Sequence, residues 1–146
     1  MSSILNKTSR ALVSALLLIC LCFLMTACSK NATKDINGAD QICVSGSYAE
    51  SFMYIVTDED FIQRMTDIYN SLEYEETDET VDMMTVGGVV SLNFNKGNEN
   101  LGTLIVDKNN IMTFEAGTQC YRITSQFDFD EMKALVDAQR AGFNVE

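Results

Sequence analysis

Twenty-one carboxylates and no histidine set the limits of what this 146-residue chain can do chemically. Without imidazole there is no Ser–His–Asp or Cys–His nucleophile pair and no His-ligated zinc. Gly87-Gly88 lacks the further glycines and the Lys-Ser/Thr of a phosphate-cradling loop, and reads as a turn or strand entry. What remains is carboxylate chemistry: a glycosidase-type acid–base pair, or an oxygen-only cation site. Asp58, Glu59, Asp60 and Asp128, Asp130, Glu131 both stand at predicted helix starts, where capping accounts for them. The densest run, EYEETDETVD, holds Glu73, Glu75, Glu76, Asp78, Glu79 and Asp82 without one basic residue. Its spacing is not that of an EF-hand loop and the loop glycine is missing. It is expected to be a solvated, mobile loop, with a weak contact for a cation or a basic partner as the alternative. No metal site and no cofactor is expected. Tyr48, Tyr54, Tyr69, Tyr74 and Tyr121 raise carbohydrate stacking, but most lie in apolar patterns and there is no tryptophan.

Of five cysteines, Cys20 and Cys22 lie inside an apolar stretch from Ala11 to Ala27, and Cys28 follows it directly. Lys7 and Arg10 precede the stretch. At about 17 residues, roughly 25 Å as a helix, it is short for a permanent span of a hydrocarbon core about 30 Å thick. A charged start, an apolar core and small residues before the end are the layout of a secretory signal. With Met25-Thr26-Ala27-Cys28 at its close, the segment resembles the signal of bacterial lipoproteins over residues 1 to 28. Met25 stands where leucine is most usual, as a similar unbranched apolar side chain. The resemblance implies a signal peptide over 1–27 and a palmitate-type lipid attached to Cys28. It also implies a protein held at the cell membrane on its extracytoplasmic side. An uncleaved signal anchor is the competing reading, and it leaves the body on that same side.

Once the leader is gone, eight basic residues face 21 acidic ones, a net charge of −13. Such a body repels nucleic acid and anionic lipid and attracts basic partners or cations. The remaining cysteines, Cys43 and Cys120, are candidates for a disulfide outside the cytoplasm, worth roughly 4 kcal/mol on the chain-entropy argument. Two separate buried thiols are the alternative.

Ser29 to Gln41 is polar, so residues 28–41 are expected to form a flexible tether and 42–146 a single domain. Ser51 to Thr57 is a nearly continuous apolar run, expected to be a strand covered on both faces. Phe61, Ile62, Met65, Ile68, Tyr69 and Leu72 then recur at helical spacing after capping residues at Thr57–Asp60. Val90, Leu92 and Phe94 alternate with polar residues. Strands over Thr103–Asp107, Ile111–Ala116 and Thr118–Ser125 complete a meander whose short turns force antiparallel neighbours. Asp128 is the expected N-cap of a last helix, with Met132, Leu135 and Val136 as its buried stripe. The fold class is therefore α+β: an antiparallel meander sheet of four to five strands, two helices packed on one face, the other face polar and available.

That element order, over roughly residues 50 to 140, resembles small Gram-positive cell-surface lipoproteins of unknown function. The resemblance implies a non-catalytic domain of the cell envelope and transfers no functional residue beyond Cys28. The expected function is a lipid-anchored extracytoplasmic binding or interaction module. Its partners would be the membrane, through the lipid, and a basic envelope protein or cation. A carboxylate-dependent hydrolase of wall glycan or peptide is the alternative, and a purely structural envelope component a third reading.

Overall fold

The computed structural model describes residues 31–33, 35–48, 50–82 and 88–143, so the leader, Cys28 and Gly87 lie outside the described residues. Its strands are β1 (Asn31–Ala32), β2 (Gln41–Tyr48), β3 (Glu50–Val56), β4 (Glu73–Thr77), β5 (Val89–Lys96), β6 (Glu99–Asp107), β7 (Ile111–Thr113) and β8 (Cys120–Ile123). The helices are α1 (Glu59–Asn70) and α2 (Phe129–Phe143). All neighbouring strands pair antiparallel, in the order β1-β4-β8-β7-β6-β5-β2-β3. The expected meander is present as the contiguous β5 to β8. The expectation of four to five strands is corrected to an 8-stranded sheet. A hairpin, β2–β3, extends the meander on one side, and β4 then β1 extend it on the other.

Alternation decides the two faces. Ile42 and Val44 of β2 stand opposite Phe94 and Leu92 of β5, and Leu92 and Val90 stand opposite Leu104 and Val106 of β6. All are fully buried, in one cluster with Phe61, Ile62, Met65 and Tyr69 of α1 and Phe129, Met132 and Val136 of α2. Both helices therefore cover the same face. Asp58 caps α1 by accepting the Phe61 N–H on Oδ1 at 2.8 Å, and Asp128 caps α2 by accepting the Glu131 N–H at 3.0 Å. Two glycines on this face admit large neighbours. A Cβ on Gly46 would lie 2.5 Å from the Phe52 ring and 2.9 Å from the Val89 carbonyl oxygen. One on Gly102 would meet the Tyr69 hydroxyl at 3.0 Å. The Phe52 ring occupies the first space and carries the Arg140 guanidinium 4.8 Å from its centroid.

Three expectations are corrected here. Ser51–Thr57 is not covered on both faces: β3 is an edge strand, Phe52, Tyr54 and Val56 turn toward the helices, and Met53 and Ile55 are exposed. The segment expected to be a tether is docked from Asn31 onward. β1 pairs with β4, the buried Thr33 hydroxyl donates to the Tyr69 carbonyl at 2.6 Å, and Ile36 is buried. The Ile36 N–H donates to the Asn70 side-chain oxygen, whose amide donates back to the Ile36 carbonyl, both at 2.9 Å. Composition registered the polar residues here, but main-chain pairing and two amide bonds hold the segment in place. Finally, EYEET is not loop but strand β4.

Because β4 lies beside β8 while β5 lies beside β6, the chain between them must return across the sheet. The described part of this connection, 78–82, runs on the face away from the helices as a strap. Two contacts pin it: the Glu79 carboxylate pairs with Arg122 of β8, and the Asp82 N–H donates to Asp107 Oδ2 at 2.9 Å. Asp107 is fully buried, and its Oδ1 also accepts the N–H groups of Asn109 (2.8 Å) and Ile111 (3.1 Å). One carboxylate thus satisfies three main-chain donors at the β6–β7 turn.

Two measurements test this packing. Asp107→Asn turns one acceptor into a donor facing an N–H, and Asp107→Ala leaves all three donors unmet. Denaturant unfolding should register losses of about 2 and about 3–4 kcal/mol respectively. Tyr54 donates its hydroxyl to the Val136 carbonyl at 2.7 Å. Burial, aided by Asp137 and opposed by Arg140, pushes its pKa from 10.0 up to about 12. Folding thus favours the neutral phenol, so its stabilisation is complete below pH 10.0 and disappears as pH rises through about 12. Tyr54→Phe should flatten the fall in stability over that window, measured by thermal melts against pH.

Candidate functional site

The sheet's helix-free face is where side chains are free to meet something else, and the strap divides it in two. Over β6, β7 and β8 the strap roofs a cavity of about 340 Å³ lined by Val81, Ile105, Thr113, Ala116, Thr118 and Cys120. No charged side chain lines it. The Thr113 hydroxyl is already engaged, donating within the 113–119 turn to the carbonyls of Glu115 and Gln119. Its size reaches the lower bound of ligand pockets. Over β3, among the described residues, two large apolar side chains stand exposed on this face. Register sets Cys43 opposite Ile55 and Ser45 opposite Met53. Met53 is 75% exposed and Ile55 54%, the two exposed large hydrophobic residues among those described.

The acidic segment does not converge. Alternation along β4 sends Glu75 and Glu76 to opposite faces, Asp78 is exposed, Glu79 is paired with Arg122, and the Asp82 backbone is tied to Asp107. Glu73 holds the β8 end in place, its carbonyl accepting the Thr124 N–H at 2.8 Å and its own N–H donating to Ser125 Oγ at 3.1 Å. Among the described residues, no three Cys, Asp or Glu side chains come together as a metal site. The expectation of a mobile loop is replaced by a strand and a pinned strap.

Cys43 and Cys120 are both free and half-buried. Both face away from the helices, but β5, β6 and β7 lie between their strands. Four inter-strand steps make about 19 Å, against a limit near 7 Å between the Cα atoms of a disulfide. The expected bridge is corrected to two separate thiols.

Of the carboxylates of the hydrolase reading, Asp128 and Glu131 lie along a groove of about 440 Å³ between α1 and the start of α2. There Asp128 is occupied as a cap, and Glu131 pairs with Arg64 at 2.6 Å, both half-exposed. Tyr48's side chain lies outside the described residues, and the other tyrosines do not form a sugar platform. Tyr69 meets Phe94 and Phe114 edge to face, Tyr74 meets Phe114 and Tyr121 edge to face, and Tyr121 lies tilted against Phe114, at centroid distances of 4.9 to 6.3 Å. Burial raises the pKa of Tyr69 and of Tyr74, each helped by a neighbouring tyrosine. The edge β3 is the feature that sequence reasoning missed. The signal was present in the strict alternation of Phe52, Tyr54 and Val56 with Met53 and Ile55, which the overall greasiness of the run concealed.

Among the described residues no helix is long and apolar enough to cross a membrane. No known protein family, no curated protein and no solved structure matches this chain.

Proposed function

We propose that this chain is a lipid-anchored, extracytoplasmic binding module of a bacterial cell envelope, held by an acyl group on Cys28. The observation that carries the binding part is the exposed pair Met53 and Ile55, set on an edge strand with no charge from Ser51 to Thr57. Large apolar side chains left in water at a sheet edge are an interaction surface or a hazard, and secreted domains tend to blunt such edges with charge. The anchoring part rests on the leader, and the docked segment bears on its geometry. Only three residue steps separate Cys28 from Asn31, about 11 Å of extended chain. The domain would ride directly on the headgroups, not on a long tether.

Mass spectrometry of the full-length chain expressed in a bacterium should find Cys28 as the first residue, carrying acyl chains. Cys28→Ala should leave the leader uncut. An intact Met1, or an unmodified Cys28 at the new terminus, overturns the anchor. The hydrolase alternative makes the opposite demand on the α1–α2 groove: Asp128→Asn or Glu131→Gln would abolish turnover of wall glycan or peptide without unfolding. A binding module should keep its partner capture in both variants.

A further inference from the structure

The two edges of the sheet are built differently, and the difference says what each can accept. At one edge, among the described residues, β1 covers two residues of β4, and Glu75 and Glu76 stand exposed beside it. That is a short, charged edge of the kind that resists strand addition. At the other, β3 runs for 7 residues, hydrogen-bonded to β2 on one side, with Met53 and Ile55 side by side on its open face. Acidic residues stand at both ends of that strand in sequence, Glu50 at its start and Asp58, Glu59 and Asp60 just beyond it. The basic groups on the helix side are engaged: Lys133 with Asp137 at 2.7 Å, and Arg140 over the Phe52 ring.

Charge excludes a second copy as the occupant. Antiparallel pairing of two β3 strands would set Glu50 of one against Asp58–Asp60 of the other, and parallel pairing would set like on like. The bilayer is excluded by placement, which rests on the anchoring proposed above. The anchor leaves from β1, and β3 is the far end of the sheet, seven strand steps or roughly 33 Å away. What fits is a strand that is apolar at alternate positions and positive at its ends. We infer that the β3 edge binds an extended segment of a partner protein, with alternating apolar side chains against Met53 and Ile55 and with lysine or arginine flanks. Main-chain pairing would supply affinity, the apolar pair register, and the acidic ends selection.

The probe is a labelled synthetic peptide with a Val-Thr-Val-Thr-Val core and two lysines at each end. It is titrated by fluorescence anisotropy with the full chain in neutral detergent. Binding should weaken at least about tenfold in the double variant Met53→Asp/Ile55→Asp, and in the milder Met53→Ser/Ile55→Thr, which keeps a strand-compatible surface. Glutamate-flanked peptide should not bind, and raising salt from about 50 to about 500 mM should weaken the lysine-flanked peptide several-fold. The inference is overturned if the lysine-flanked peptide does not bind or if both variants bind it as tightly as the parent. Equal binding of the glutamate-flanked peptide overturns it as well, as does sedimentation showing a dimer that the same substitutions dissolve. Peptide binding does not require the acyl group. An unacylated chain that binds therefore fails only the anchor, and an acylated chain that does not bind fails only this inference.

Discussion

The buried carboxylate of Asp107 is the point at which this architecture is fastened. A charge with no solvent contact is tolerable only if its oxygens are fully engaged, and here three main-chain N–H groups do that, from Asn109, Ile111 and Asp82. Two of those donors shape the β6–β7 turn, where Asn110 takes a positive φ of 60°. The third comes from the strap. The same side chain therefore closes a hairpin of the meander and fixes the crossing that lets β4 join the sheet at β8. With Glu79 bound to Arg122 at the other end, the strap's middle is held above Ile105 and Thr113, and the cavity beneath it has a fixed roof.

The elements legible in the sequence were those whose residues all serve one purpose. The stripe of α1, the cap at Asp128 and the alternation of Val90, Leu92 and Phe94 each repeat a single rule, and each is present as expected. The elements that escaped mix purposes. In β2, Gly46 interrupts the apolar pattern because the Phe52 ring needs its space. In β4, Glu75 and Glu76 stand exposed on opposite faces near the sheet's edge, so a strand reads as a charged loop. The docked N-terminal segment is polar because its attachments are hydrogen bonds. The cysteines show a different limit: residue parity put both on one face, but only strand order, which no local pattern encodes, reveals the distance between them.

The two edges of the sheet also differ in the chemistry they expose. Exposed carboxylates stand on β4 and the strap, while at the opposite edge two exposed apolar side chains occupy the strand and carboxylates only flank it. A sheet so polarised has one margin that sheds strands and another that accepts them. The helices contribute to this by covering only one side: Tyr54 and Phe52 of β3 are tied to Val136 and Arg140 of α2, which holds the strand rigid while its other side chains stay in water. A strand braced from behind loses little freedom on gaining a neighbour.

The strap also sets the order in which the chain can fold. Tyr74 pairs with Ile123, nearly fifty residues later, so β4, which has only β1 beside it from earlier in the chain, has no partner on its other side until the whole meander has been synthesised and assembled. Closing so long a loop is entropically unfavourable before its contacts form, and topologies dominated by distant pairings nucleate slowly. During that interval the hairpin of β2 and β3 and the meander can associate without β4, leaving its glutamates in water. A chain crossing a membrane unfolded would gain from this delay, since the final register cannot lock until its last strand has emerged.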